Sequence, residues 1–143
     1  MAANTVPIYS KVGKIGGLGV TLTTAVTAKT GVGASLLFTA GADGSRIERI
    51  RARALGTNVA TVLRIFINNG SDPSTAANNI LYAEKTLAAT TLSEVAELAL
   101  NELPTTTDPT AFPMILPPGY RIYAAIGTTV AAGYVISVVG GDY

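Results

Sequence analysis

The stretch Arg49-Ile50-Arg51-Ala52-Arg53-Ala54-Leu55 decides the fold. Ile50, Ala52 and Ala54 recur at every second position, and Arg49, Arg51 and Arg53 fill the positions between. Successive side chains of a strand point to opposite faces, so this alternation writes a β-strand with one apolar face and one cationic face. The same period continues outward along the chain. Leu63, Ile65 and Ile67 oppose Arg64 and Phe66. Tyr120, Ile122, Ala124 and Ile126 oppose Arg121, Tyr123 and Ala125. Tyr134, Ile136 and Val138 oppose Val135, Ser137 and Val139, a strand apolar on both faces, as expected where a sheet is covered on both sides.

Further strands are expected over residues 19–26, 35–40, 80–87, 94–100 and 112–116. Thr is abundant, and its β-branching suits a pleated sheet better than a helix. Gly41-Ala42-Asp43-Gly44-Ser45, Asn68-Asn69-Gly70-Ser71-Asp72-Pro73 and Leu116-Pro117-Pro118-Gly119-Tyr120 supply turn chemistry between them. About eight short strands separated by such turns predict an all-β protein, an antiparallel β-sandwich or barrel. The longer connections at residues 71–79 and 104–110 favour Greek-key crossings, and a jelly-roll-like sandwich is the first expectation. Residues 73–79 fit a single helical turn. From Leu92 to Leu103 the Ala, Leu and Glu content leaves strand and helix both open.

The domain plan is an extended N-terminal arm over residues 1–16 and a β-sandwich domain over residues 17–143. The arm has a Pro, two Lys and several Gly, with no sustained alternation. Its beginning lacks the long apolar core of a signal peptide, so secretion by that route is not expected. No apolar run reaches the ~18–20 residues a membrane-crossing helix needs, and no membrane partner is expected.

The 143 residues suffice for one core. Charged residues are 13% of the chain, against about 25% in an average domain, and mean hydropathy is +0.41. So few charges imply that part of the surface is covered by neighbouring chains. The net charge of +1 is unevenly spread: residues 1–42 hold Lys11, Lys14 and Lys29 and no acid, whereas Glu84, Glu94, Glu97, Glu102 and Asp108 crowd around Lys85 alone. A positive part and a negative part in one domain suit contacts between copies.

Chemistry is sparse. The chain has no Cys and no His, which removes thiolate chemistry, the commonest general base and the usual zinc ligands. Gly13-Lys14-Ile15-Gly16-Gly17-Leu18-Gly19 precedes a strand-like stretch where a phosphate cradle requires a helix. The carboxylates fall into no acid/base pair with an aromatic cleft, since Trp is absent. No catalytic residue, cofactor, metal or small-molecule substrate is expected, and the protein does not read as an enzyme. The row Arg49, Arg51, Arg53, with Arg46 before it and Arg64 on an expected neighbouring strand, reads either as a solvated face or as a surface for an acidic partner. Nucleic acid ranks last, because the net charge is small and no aromatics interleave with the arginines. Val6, Ile8, Tyr9, Lys11 and Lys14 are the arm's candidate partner-binding residues, able to seat in a groove or pair with a sheet edge.

Several stretches taken together carry a family resemblance: residues 38–50 (FTAGADGSRIERI), Leu63-Arg64-Ile65-Phe66-Ile67, residues 116–122 (LPPGYRI) and the terminal Gly140-Gly141-Asp142-Tyr143. The set resembles the small jelly-roll decoration (cement) proteins from the head-gene regions of tailed bacteriophages and prophages. It covers most of residues 34–143 by order and spacing; the arm and residues 71–110 match less well. The resemblance implies a structural virion protein on the outer capsid surface, made in the bacterial host cytoplasm. It would bind the major capsid protein as a homo-oligomer, trimer or dimer, and bridge neighbouring capsomers against the pressure of packaged DNA. The rival reading is a carbohydrate- or receptor-binding β-sandwich module of a phage fibre or similar appendage, for which Tyr9, Tyr82, Tyr120, Tyr123, Tyr134 and Tyr143 are the available rings.

Overall fold

The computed structural model describes residues 9–143. Ten strands follow in order: β1 Val12–Gly16, β2 Thr21–Leu22, β3 Ser35–Thr39, β4 Ser45–Ala54, β5 Thr61–Asn68, β6 Asn79–Leu87, β7 Asn101–Leu103, β8 Met114–Leu116, β9 Arg121–Ile126 and β10 Tyr134–Asp142. They form two antiparallel sheets. A six-stranded sheet runs β1-β10-β4-β7, with β2 also on β10 and β8 also on β4; a four-stranded sheet runs β3-β9-β5-β6. The protein is all-β and sandwich-like.

The pairing is nested. β5 pairs with β6, β4 with β7 and β8, β3 with β9, and β1 and β2 with β10. Two further ladders, β4 on β10 and β5 on β9, close the sheets. The chain therefore behaves as one long hairpin whose outer strands fold back onto its inner ones.

The alternation read from the sequence explains the core. Ile50, Ala52, Tyr134, Ile136 and Val138 turn inward from the six-stranded sheet, and Leu63, Ile65, Ile122 and Ile126 meet them from the other. Each fully buried Ile or Leu contributes about 1.5–3 kcal/mol over leaving it in water.

A second, smaller cluster of Phe66, Tyr123 and Ala125 lies on the opposite face of the four-stranded sheet, with Val26, Ala34 and Leu81 packed on it. The chain between β2 and β3 straps across that face. Its backbone bridges Ala25 to Ile126, and Arg64 Nη1 donates to the Val26 carbonyl at 3.3 Å. Arg64 Nε also donates to Glu84 at 3.0 Å. The sequence associated Arg64 with the arginine row as a neighbouring strand's contribution. That is corrected: the β4–β5 connection changes sheets, so Arg64 sits in the other layer, where it fastens the strap.

Two strand expectations also change. Residues 19–26 yield only the two-residue β2, because the chain leaves the six-stranded sheet there to cross the sandwich. Residues 94–100 form no strand. Ser93 Oγ accepts from the backbone N–H groups of Val95 and Ala96, offering them a local partner in place of a ladder. From Leu92 to Leu103, only β7 is regular, and no helix forms. The turn expected within residues 73–79 is a single 3₁₀ turn, Ala76–Asn78.

The arm expected over residues 1–16 divides. Residues 1–8, with Val6 and Ile8, lie outside the described residues. Val12–Gly16 is β1, paired with β10 from Val12↔Asp142 to Gly16↔Val138, and the Lys11 N–H already donates to the Asp142 carbonyl at 2.8 Å. The composition break near Gly16 thus marks the turn after an in-sheet strand, where Gly17 takes φ +88°.

Candidate docking surface

Arg49, Arg51 and Arg53 emerge together on the outer face of β4, as the alternation requires. A bulge adds a member the alternation hides. The β10 register passes from Val139↔Arg49 to Gly140↔Ile47, leaving Glu48 as the extra residue. Glu48 and Arg49 are consecutive exposed positions, and Arg46 returns to the arginine face. A bulge re-aims side chains in this way by breaking the period of two.

The charges are partly paired. Arg46 is ion-paired with Glu48. Glu102, projecting from β7 opposite Arg51, is shared: its Oε1 lies 3.4 Å from Arg49 Nη1 and its Oε2 lies 3.5 Å from Arg51 Nε. The second contact is not a hydrogen bond, and the buried Arg51 Nε has no hydrogen-bond partner among the described residues. Arg53 has no carboxylate partner among the described residues; its Nη1 donates to the Leu98 carbonyl at 3.3 Å. Exposed pairs of this kind contribute about 0–1 kcal/mol, so one carboxylate among three guanidiniums leaves the face cationic.

Apolar side chains share this face. Residues directly opposite in a ladder point the same way, so Ile15, Val139 and Arg49 form one row across β1, β10 and β4. Ile115, opposite Arg46 on β8, lies on the same face. Ile15 is 59% exposed and Ile115 is 65% exposed. Nearby in sequence, Leu18 in the β1–β2 turn is 85% exposed and Tyr9 is 75% exposed.

The other sequence candidates separate. Lys11 is exposed beside Tyr9. Lys14 points to the rim between the sheets: its ammonium sits 4.7 Å from the centre of the Phe38 ring, donates to the Thr39 carbonyl and pairs with Asp142 at 3.2 Å. Asp142 also accepts from Ser45 Oγ and from the Gly41 N–H. Burial pushes the Asp142 carboxyl up, but the hydrogen bonds from Ser45 and Lys14 outweigh it and hold the group below its ordinary value. Lys14 is therefore engaged within its own chain, where it ties β1 to the C-terminus.

The rings required by a sugar-binding cleft are dispersed. Tyr134 is fully buried and Tyr123 lies under the strap, while Tyr82 packs edge-on against Phe112 and donates to the Ala111 carbonyl. A hollow of about 250 Å³ under the strap is lined by Thr21, Thr23, Thr24 and Ser35 among others, with no titratable side chain. Among the described residues, no group of three or more His, Cys, Asp or Glu is placed to hold a metal.

Sequence reasoning missed the exposed residues outside alternating stretches. Val95 is 97% exposed between Glu94 and Glu97. The only signal was an apolar residue between acids in a segment without strand partners. Comparison of the chain with family models, curated proteins and solved structures yields no match.

Proposed function

We propose that this is a structural virion protein with a jelly-roll core that binds the outside of a bacteriophage capsid and stabilises contacts between neighbouring capsomers. The nested ladders closed by β4 on β10 and β5 on β9 support the jelly-roll reading: a single hairpin rolled into two sheets has this strand order. The observation that carries the docking function is the leading edge of the sandwich. Val12 and Ile15 on β1, with Tyr9 before it and Leu18 after it, are all largely exposed, and β1 ends the six-stranded sheet. Apolar side chains beside unpaired strand groups favour burial by another protein. In this reading Val6, Ile8 and Lys11 supply further contacts to a major capsid protein. On a repeating lattice, many modest contacts add through multivalency.

The test is cosedimentation with assembled shells. A chain lacking residues 2–11 keeps β1 and is expected to fold with an unchanged melting temperature but to lose most shell occupancy. Full occupancy by that truncated chain removes the arm from the reading. An intact chain that sediments free of shells defeats the function itself.

A further inference from the structure

The outer face of the six-stranded sheet and the loop before β7 carry complementary charges. On the face, Arg49, Arg51 and Arg53 stand against Glu102 alone among the described residues, an excess of two positive charges. Along the loop, Glu94 and Glu97 have no cationic partner among the described residues and flank Val95, which is 97% exposed. Arg53 reaches the loop's backbone at Leu98 without meeting either acid. The two patches are thus adjacent on one molecule, opposite in charge, and not ion-paired with each other among the described residues.

The loop is prepared for contact. Ser93 Oγ gathers the N–H groups of Val95 and Ala96 into a tight turn, and the Asn58–Thr90 bridge fixes the chain behind it. Leu92, Val95 and Leu100 give it apolar surface. The receiving face supplies apolar surface through Ile15 and Val139. An apolar centre with charged pairs at its rim is the usual anatomy of a protein interface.

We propose that a second copy of this chain docks residues 92–99 onto the outer face of the six-stranded sheet, with Val95 against the Ile15–Val139 row and Glu94 and Glu97 against Arg49 and Arg53. A contact between two different patches of one chain repeats from copy to copy, forming a ring where the rotation between copies closes, or is exchanged reciprocally in a dimer. The contact deepens the homo-oligomer that the family resemblance implies, and its assay contains no shell, so failure here leaves capsid binding to be judged by its own cosedimentation.

The experiment is sedimentation equilibrium of the intact chain, with melting temperature recorded for each variant. The wild type is expected to form a closed oligomer whose dissociation constant rises at least tenfold between about 0.05 and 0.5 M salt, as screening weakens the rim pairs. E94K/E97K and V95D, both altering exposed loop side chains, are expected to melt as the wild type does and to weaken association at least tenfold. Adding R49E and R53E to E94K/E97K reverses both patches and is expected to restore association to within about threefold of wild type, because opposite charges again face each other. A wild type that stays monomeric at every concentration, or an oligomer indifferent to E94K/E97K and V95D, overturns the proposal. Loss of association without rescue by the fourfold reversal overturns the charge pairing.

Discussion

Asn58 shows what a buried polar side chain does when fully used. It is 3% exposed; its Oδ1 accepts from the N–H groups of Ala132 and Gly133 at 2.8 and 2.9 Å, and its Nδ2 donates to the Gly133 and Gly56 carbonyls. Asn58→Ala leaves these groups without partners, and urea denaturation is expected to show a loss of about 2–4 kcal/mol. Asp142 sets an acid limit. Its folded carboxyl lies below the ordinary value, so its contribution is present above the unfolded pKa of ~3.9 and is lost as pH falls through the lower folded value. Glu84, held down by hydrogen bonds from Arg64 and Lys29, acts in the same direction. The melting temperature is expected to fall between pH 5 and 3, and D142N is expected to melt lower at pH 6 with a flatter acid slope. An unchanged slope in both D142N and E84Q would assign the acid loss to other groups.

The strap and β10 are the elements on which the architecture depends. Phe66 is fully buried, and it is the largest apolar side chain in the cluster that holds the strap down. Phe66→Ala is expected to cost about 3–5 kcal/mol, and trypsin is expected to cut at Lys29 faster in the variant, because the strap loses its seat. Gly140, at the bulge in β10, has no room for a side chain: an added Cβ would lie 2.2 Å from the Arg46 carbonyl oxygen. Gly140→Ala is expected to destabilise the protein by about 1–3 kcal/mol, measured by denaturant midpoint. A neutral result would mean that β4 and β10 can separate locally without harm to the sandwich.

At the scale of the whole molecule, the nested ladders place the first strand beside the last. β1 and β2 both pair with β10, and β3 with β9. Such pairings require long loops to close before their contacts form, so refolding is expected in milliseconds to seconds. Stopped-flow refolding checks this; complete recovery within microseconds would contradict the topology. The same closure explains why the truncation boundary matters. Removing residues 2–11 spares every described strand, whereas removing residues 2–16 takes away β1 and bares one side of β10.

By itself the sequence determined the strand class, the inward and outward faces of β4, and the shared direction of Arg49, Arg51 and Arg53, because a period of two is a local property of the backbone. It did not determine which strands are neighbours, that Arg64 belongs to the other sheet, that Phe66 is buried beneath a strap, or that Val12–Gly16 belongs to the sandwich. Those depend on contacts between residues far apart in the chain. The bulge at Glu48 is the sharpest case: a single extra residue, paired against β10, turns Arg46 onto the arginine face, and only the partner strand decides where the period breaks.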